Sequence, residues 1–153
     1  MKLDLPTVKD TKAFGARLGA LLRAGDLVVL TGALGAGKTA LVQGIGAGMG
    51  VQGRIASPTF VIARVHPAGG AGGPALVHVD AYRLGSLDEV DDLDLDIDAQ
   101  SSVTAVEWGS GLVEQLAEAR LDIALVADPA TEVRTATLTP HGGDWADRLA
   151  RLG

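Results

Sequence analysis

Gly32-Ala33-Leu34-Gly35-Ala36-Gly37-Lys38-Thr39 meets the pattern G-x-x-x-x-G-K-[ST] in full. Each residue type in it has a task. Glycines let the backbone turn tightly, so that several N–H groups converge on one anion. A helix that begins at the lysine adds its positive end to the same point. The ammonium of Lys38 can neutralise β- and γ-phosphate oxygens, and the hydroxyl of Thr39 can ligate Mg²⁺. Gly32, Leu34, Gly35, Ala36, Gly37, Lys38, Thr39 and Ala40 are therefore the candidate cradle for a nucleotide. Guanine-specific proteins of this kind carry N-K-x-D, and this chain has no asparagine. The nucleotide expected is ATP, with Mg²⁺.

Phosphoryl transfer also needs a carboxylate beside the metal, usually at the end of a buried strand. Glu107 closes Val103-Thr104-Ala105-Val106, and Asp80 closes Ala75-Leu76-Val77-His78-Val79. Either can hold Mg²⁺ through water or orient the attacking water; as ordinary residues they would be helix caps or surface charges. Ser57-Pro58-Thr59-Phe60 lies where a loop closes over the γ-phosphate in many such proteins, or it is a simple Ser-Pro turn. Trp108, next to Glu107, can flank the nucleotide or meet a partner.

The elements that must position these groups follow from periodicity. Thr7 and Asp10 have capping-box spacing, and Phe14, Leu18, Leu21 and Leu22 share one face of a helix predicted over Thr7 to Arg23. Asp26 to Thr31 reads as a buried strand and Lys38 to Met49 as a helix. Gly44, Gly46 and Gly48 in that helix imply either close packing or an early end. Strands are predicted over Phe60 to Val65, Ala75 to Val79, Val103 to Val106, Leu121 to Val126 and Glu132 to Leu138. Helices are predicted after Ser86, over Leu112 to Ala119, and through Trp145, Leu149 and Leu152. The alternation implies an α/β P-loop NTPase-like sandwich, with a largely parallel central sheet flanked by helices. At 153 residues, 1–153 reads as a single domain.

Composition excludes several classes. There is no cysteine, hence no disulfide, thiolate metal site or cysteine nucleophile. No apolar run approaches the roughly 18 residues that span a bilayer, and the N-terminus has no apolar core of a signal peptide, so a cytoplasmic protein without a membrane partner is expected. The net charge is −6, and after Lys12 the one further lysine is Lys38. Nucleic acid, if involved, would be held mainly by other proteins. Asp88 to Asp98 carries seven acids, but no register has the glycine of a calcium loop; it reads as a solvated face. Gly48-x-Gly50-x-x-Gly53 neither follows a strand nor opens a helix and is set aside as a dinucleotide signal. His66, His78 and His141 lack zinc spacing, and His78 reads as a plain strand residue.

Four segments in order, Gly-Ala-Leu-Gly-Ala-Gly-Lys-Thr (32–39), Ser-Pro-Thr-Phe (57–60), His-Val-Asp-Ala-Tyr-Arg-Leu (78–84) and Val-Glu-Trp-Gly (106–109), together resemble the bacterial tRNA threonylcarbamoyladenosine biosynthesis ATPase family, TsaE. The resemblance covers about residues 5 to 140. It implies a slow ATPase that works with a two-protein complex installing threonylcarbamoyl on adenosine 37 of tRNAs reading codons that begin with A. In that picture the partners hold the tRNA. The resemblance assigns phosphate and Mg²⁺ to Lys38 and Thr39, the metal to Glu107, support of hydrolysis to Asp80, a switch-like loop to Thr59, and a place near the nucleotide to Trp108. The chain departs from the family at Gly109-Ser110-Gly111, where an acid is common, and in its long glycine-rich segment Pro67 to Pro74. From the residues alone, a small-molecule kinase using Arg54, Arg64 or Arg83, or a nucleotide-dependent binding switch without essential hydrolysis, stands beside the ATPase.

Overall fold

In the computed structural model, residues 1–32, 37–51, 63–66, 74–80, 102–107, 119–131 and 133–152 are described. Along them run β1 (Lys2–Leu5), α1 (Val8–Gly19), β2 (Leu27–Gly32), α2 (Lys38–Met49), β3 (Ala63–His66), β4 (Ala75–Asp80), β5 (Ser102–Glu107), β6 (Arg120–Ala127), β7 (Arg134–His141) and α3 (Trp145–Ala150). The expected helices after Ser86 and across 112–118, the acidic stretch 88–98, and the segment 67–73 lie outside the described residues.

The strands form one sheet in the order β1-β7-β6-β2-β5-β4-β3. β6, β2, β5 and β4 pair in parallel. The antiparallel pairings, β1 with β7, β7 with β6, and β3 with β4, lie toward the two edges. Five strands thus point one way, with β7 and β3 opposed, which is the largely parallel sheet that the alternation of elements implies. The central strands are buried on both faces, as parallel strands must be: all of Leu27 to Leu30 is at most 4% exposed, and every residue of β5 is buried.

Thr7 caps α1 as its spacing predicts. Its hydroxyl accepts from the Asp10 N–H, and the Asp10 carboxylate accepts from the Thr7 N–H. The helix ends at Gly19, short of the predicted Arg23. There the chain tightens, with the N–H groups of Leu21 and Leu22 reaching the carbonyls of Leu18 and Gly19. Leu22 still enters the core from this turn, so its apolar signal was one of burial rather than of helix. β1 was not expected. Its four residues alternate charge and leucine, and it is held by β7 from Leu5↔Arg134 to Lys2↔Thr137.

α1 and α2 pack on one face of the sheet. Phe14, Leu18, Leu41, Val42 and Ile45 meet Val28, Leu30, Ala105, Leu121 and Ile123 in the core. The glycines of α2 answer the question its sequence posed. The helix runs its full predicted length and closes on Gly50 in the left-handed region. A Cβ on Gly15 of α1 would stand 2.6 Å from the Leu41 carbonyl oxygen. One on Gly19, Gly44 or Gly48 would come closer still, to the carbonyl oxygens of Ile45, Lys12 and Ala16. The two helices meet backbone to backbone.

At the amino end of β2, Arg148 of α3 makes a bidentate pair with Asp26, at 2.6 and 2.9 Å. The same guanidinium lies 4.0 Å from the centroid of the Trp145 ring and donates to Asp144. Asp26 also accepts from the Arg23 N–H at 2.6 Å. This buried network fastens the C-terminal helix to the base of the sheet, leaving the carboxyl ends of the strands for chemistry.

Candidate functional site

Ligands of open α/β sheets bind beyond the carboxyl ends of strands, where the chain's direction of winding reverses. Here that point is β2, with β5 on one side and β6 on the other. β2 ends at Gly32, and α2 begins at Lys38. Gly37 caps α2 with φ +103°, a conformation L side chains rarely adopt. Leu41 N–H bonds the Gly37 carbonyl, so the N–H groups of Lys38, Thr39 and Ala40 form the open first turn of a 12-residue helix. Lys38 is 6% exposed, and its ammonium donates to the Gly32 carbonyl oxygen at 2.7 Å. The hydrogen bond offsets the cost of burying the charge and folds the side chain back across the mouth of the loop.

Register brings Asp80 and Glu107 to the same end of the sheet. Leu30 of β2 pairs with Glu107 of β5, and Glu107 pairs with Asp80 of β4. Both predicted strand-end acids therefore stand in one row, two residues short of Gly32. Glu107 is buried at 4% exposure, and its Oε2 lies 2.7 Å from Nε2 of His78. His78 is a strand residue, as expected, but it is also the hydrogen-bond partner of a candidate site residue. Its spacing to Glu107 in the sequence carried no sign of this, because the two meet only through the β4–β5 register.

A second residue escaped the sequence reading. Arg134 opens β7 beside the carboxyl end of β6, and its side chain lies against Gly37. A Cβ there would be 3.0 Å from its Nε and 3.1 Å from its Cδ. A guanidinium thus borders Gly37, at the end of the candidate phosphate loop, from a strand far along the chain. Leu34, Gly35, Ala36, Thr59 and Trp108 lie outside the described residues, as do Arg54 and Arg83 of the kinase alternative.

The donor set suits a hard cation. Among the described residues no group of three or more His, Asp or Glu gathers to hold a metal. Mg²⁺ in nucleotide sites takes only one or two protein oxygens and fills the rest with phosphate oxygens and water. The Thr39 hydroxyl and the Glu107 carboxylate match that need, and the left-handed cap and the helix N-terminus match the phosphates. Gly37→Ala is expected to weaken ATP binding about tenfold. It adds roughly 1–2 kcal/mol of backbone strain, and its methyl group meets Arg134. Calorimetric titration with ATP measures this; unchanged affinity would place the nucleotide elsewhere.

Residues 5–136 match the family model described as threonylcarbamoyl adenosine biosynthesis protein TsaE. The chain belongs to the TsaE family. It is 59% identical over 139 residues to the tRNA threonylcarbamoyladenosine biosynthesis protein TsaE of Streptomyces coelicolor, covering 88% of this chain and 93% of that one. Against the protein of the same name from Bacillus subtilis it is 37% identical over 118 residues, covering 76% and 72%. The crystal structure of Bacillus subtilis YdiB superposes with a TM-score of 0.79 at 28% identity, over 99% of this chain and 93% of that one. The TsaE family serves tRNA threonylcarbamoyladenosine biosynthesis, a tRNA modification. Among the described residues of this member, no helix is long and apolar enough to cross a membrane.

Proposed function

We propose that this TsaE family member binds ATP with Mg²⁺ over Gly32 to Ala40 and hydrolyses it slowly. The turnover would serve a cytoplasmic two-protein complex that threonylcarbamoylates adenosine 37 of tRNAs reading codons that begin with A. The observation that carries the reading is the loop between β2 and α2. Its left-handed Gly37, its buried Lys38 folded onto Gly32, and Glu107 in the adjoining register lie at one end of the sheet.

In this reading Lys38 offsets charge on the β- and γ-phosphates, and the first turn of α2 donates its N–H groups to them. Thr39 and Glu107 hold Mg²⁺, which when bound draws charge from the phosphate oxygens. Asp80 and Glu107 orient water at the γ-phosphorus. The bond from the water oxygen to phosphorus forms as the bond to the β–γ bridging oxygen breaks. Thr59 and Trp108 complete the site from a switch-like loop and from the nucleotide side. The net charge of −6 agrees with tRNA being held by partners.

Depletion of the protein in its own organism, followed by mass spectrometry of nucleosides from bulk tRNA, tests the reading. Threonylcarbamoyladenosine is expected to fall, and to return with wild type but not with Lys38→Ala. An unchanged level after verified depletion would overturn the pathway assignment. Full restoration by Lys38→Ala would overturn the role of the loop.

A further inference from the structure

We infer that His78 is a positioning residue for Glu107, holding one carboxylate oxygen so that the other faces metal or water in a fixed direction. The inference rests on the reading of Glu107 as the carboxylate beside Mg²⁺.

His78 is completely buried, and its Nε2 lies 2.7 Å from Oε2 of Glu107. His78 pairs with Ala105 and Asp80 with Glu107, so the imidazole reaches diagonally toward the carboxyl end of the neighbouring strand. With Glu107 ionised, Nε2 must carry the proton and donate it. The ring's other nitrogen, Nδ1, is buried and has no hydrogen-bond partner among the described residues. A histidine kept only to fill the core would be a poor choice there, since an apolar side chain would fill the space without an unpaired nitrogen. What the histidine adds over leucine is the bond to Glu107. On the same face of the sheet Leu76, Val103 and Ala105 are buried, so water competes little for that bond. Carboxylates that serve metals are commonly fixed in this way by a partner behind them.

The test compares His78→Leu, His78→Gln and Glu107→Gln in the intact protein, alone and combined. Basal ATP turnover is measured against Mg²⁺ concentration. Affinity for ATP is read with and without Mg²⁺ from the shift in thermal midpoint. His78→Leu is expected to lower kcat, or raise the Mg²⁺ requirement, by about 10- to 100-fold. Its affinity for metal-free ATP should stay within about twofold of wild type. His78→Gln, whose amide N–H can replace Nε2–H, should recover most of the loss. The double variant with Glu107→Gln should be no slower than Glu107→Gln itself, because His78 acts through that carboxylate.

Wild-type turnover and Mg²⁺ dependence in His78→Leu, or a loss that multiplies with that of Glu107→Gln, would overturn the positioning role. So would a His78→Gln variant as impaired as His78→Leu. If His78→Leu does not fold, His78→Asn, whose amide stops short of Glu107, is measured in its place with the same expectations. Wild-type turnover in Glu107→Gln would instead remove the reading of Glu107 on which the inference rests.

Discussion

Glu107→Gln is expected to slow ATP turnover at least about 100-fold, the scale on which a positioned carboxylate acts in proton and water management. The substitution nearly preserves shape and keeps an acceptor for His78 at Oε1, so the buried end of β5 should hold. Affinity for metal-free ATP should change little, because the proposed phosphate cradle lies on β2 and α2 rather than on β5. The measurement is steady-state phosphate release alongside equilibrium nucleotide binding. The same variant decides between hydrolysis and a bare switch. If the hydrolysis-dead protein restores threonylcarbamoyladenosine in depleted cells, bound nucleotide suffices and turnover is dispensable. If it fails with binding intact, turnover is required.

Gly44→Ala is expected to destabilise the protein by about 2 kcal/mol, against the direction of helix propensity. In an isolated helix the change would favour the folded form by up to about 1 kcal/mol. In this protein the new methyl would overlap the Lys12 carbonyl oxygen and stand 2.9 Å from Lys12 Cα and 3.0 Å from Gly15 Cα. All three are backbone atoms, which cannot rotate away as a side chain would. Overpacking of this kind costs about 1–3 kcal/mol, and the two backbones must separate for the helices to stay docked, so the steric term wins. For a chain of this length the thermal midpoint should fall by roughly 4–8 °C. A midpoint at or above that of wild type would mean that the helices have room to part.

The left-handed turn at Gly37, the start of α2 and the strand-end places of Asp80 and Glu107 were legible because their signals are local. A left-handed glycine, a helix start and an apolar strand each impose residue types within a few positions of one another. β2, α2, β4, β5 and β6 fell close to their predicted bounds for the same reason. What the sequence hid depends on partners distant along the chain. His78 acquires its partner only once β4 and β5 align, and Arg134 reaches Gly37 only once β7 folds back beside β6. Arg148 carries no local sign of its burial against Asp26, because that partner lies far back along the chain. β1 was hidden differently: its four residues are too few to show a period, and its backbone is satisfied by β7.

The contact between α1 and α2 bears on how the site can communicate. Side chains that interdigitate can change rotamer and let two helices slip, but carbonyls and Cα atoms in direct contact offer no such slack. α1 and α2 are therefore expected to move as one plate. The first turn of that plate carries Lys38 and Thr39, and its outer surface carries the exposed Lys9, Lys12 and Arg17. If nucleotide binds at Lys38 and Thr39 as proposed, a tilt imposed there is expected to carry through to that basic surface, so the glycines would make a small displacement at the site visible from outside the molecule.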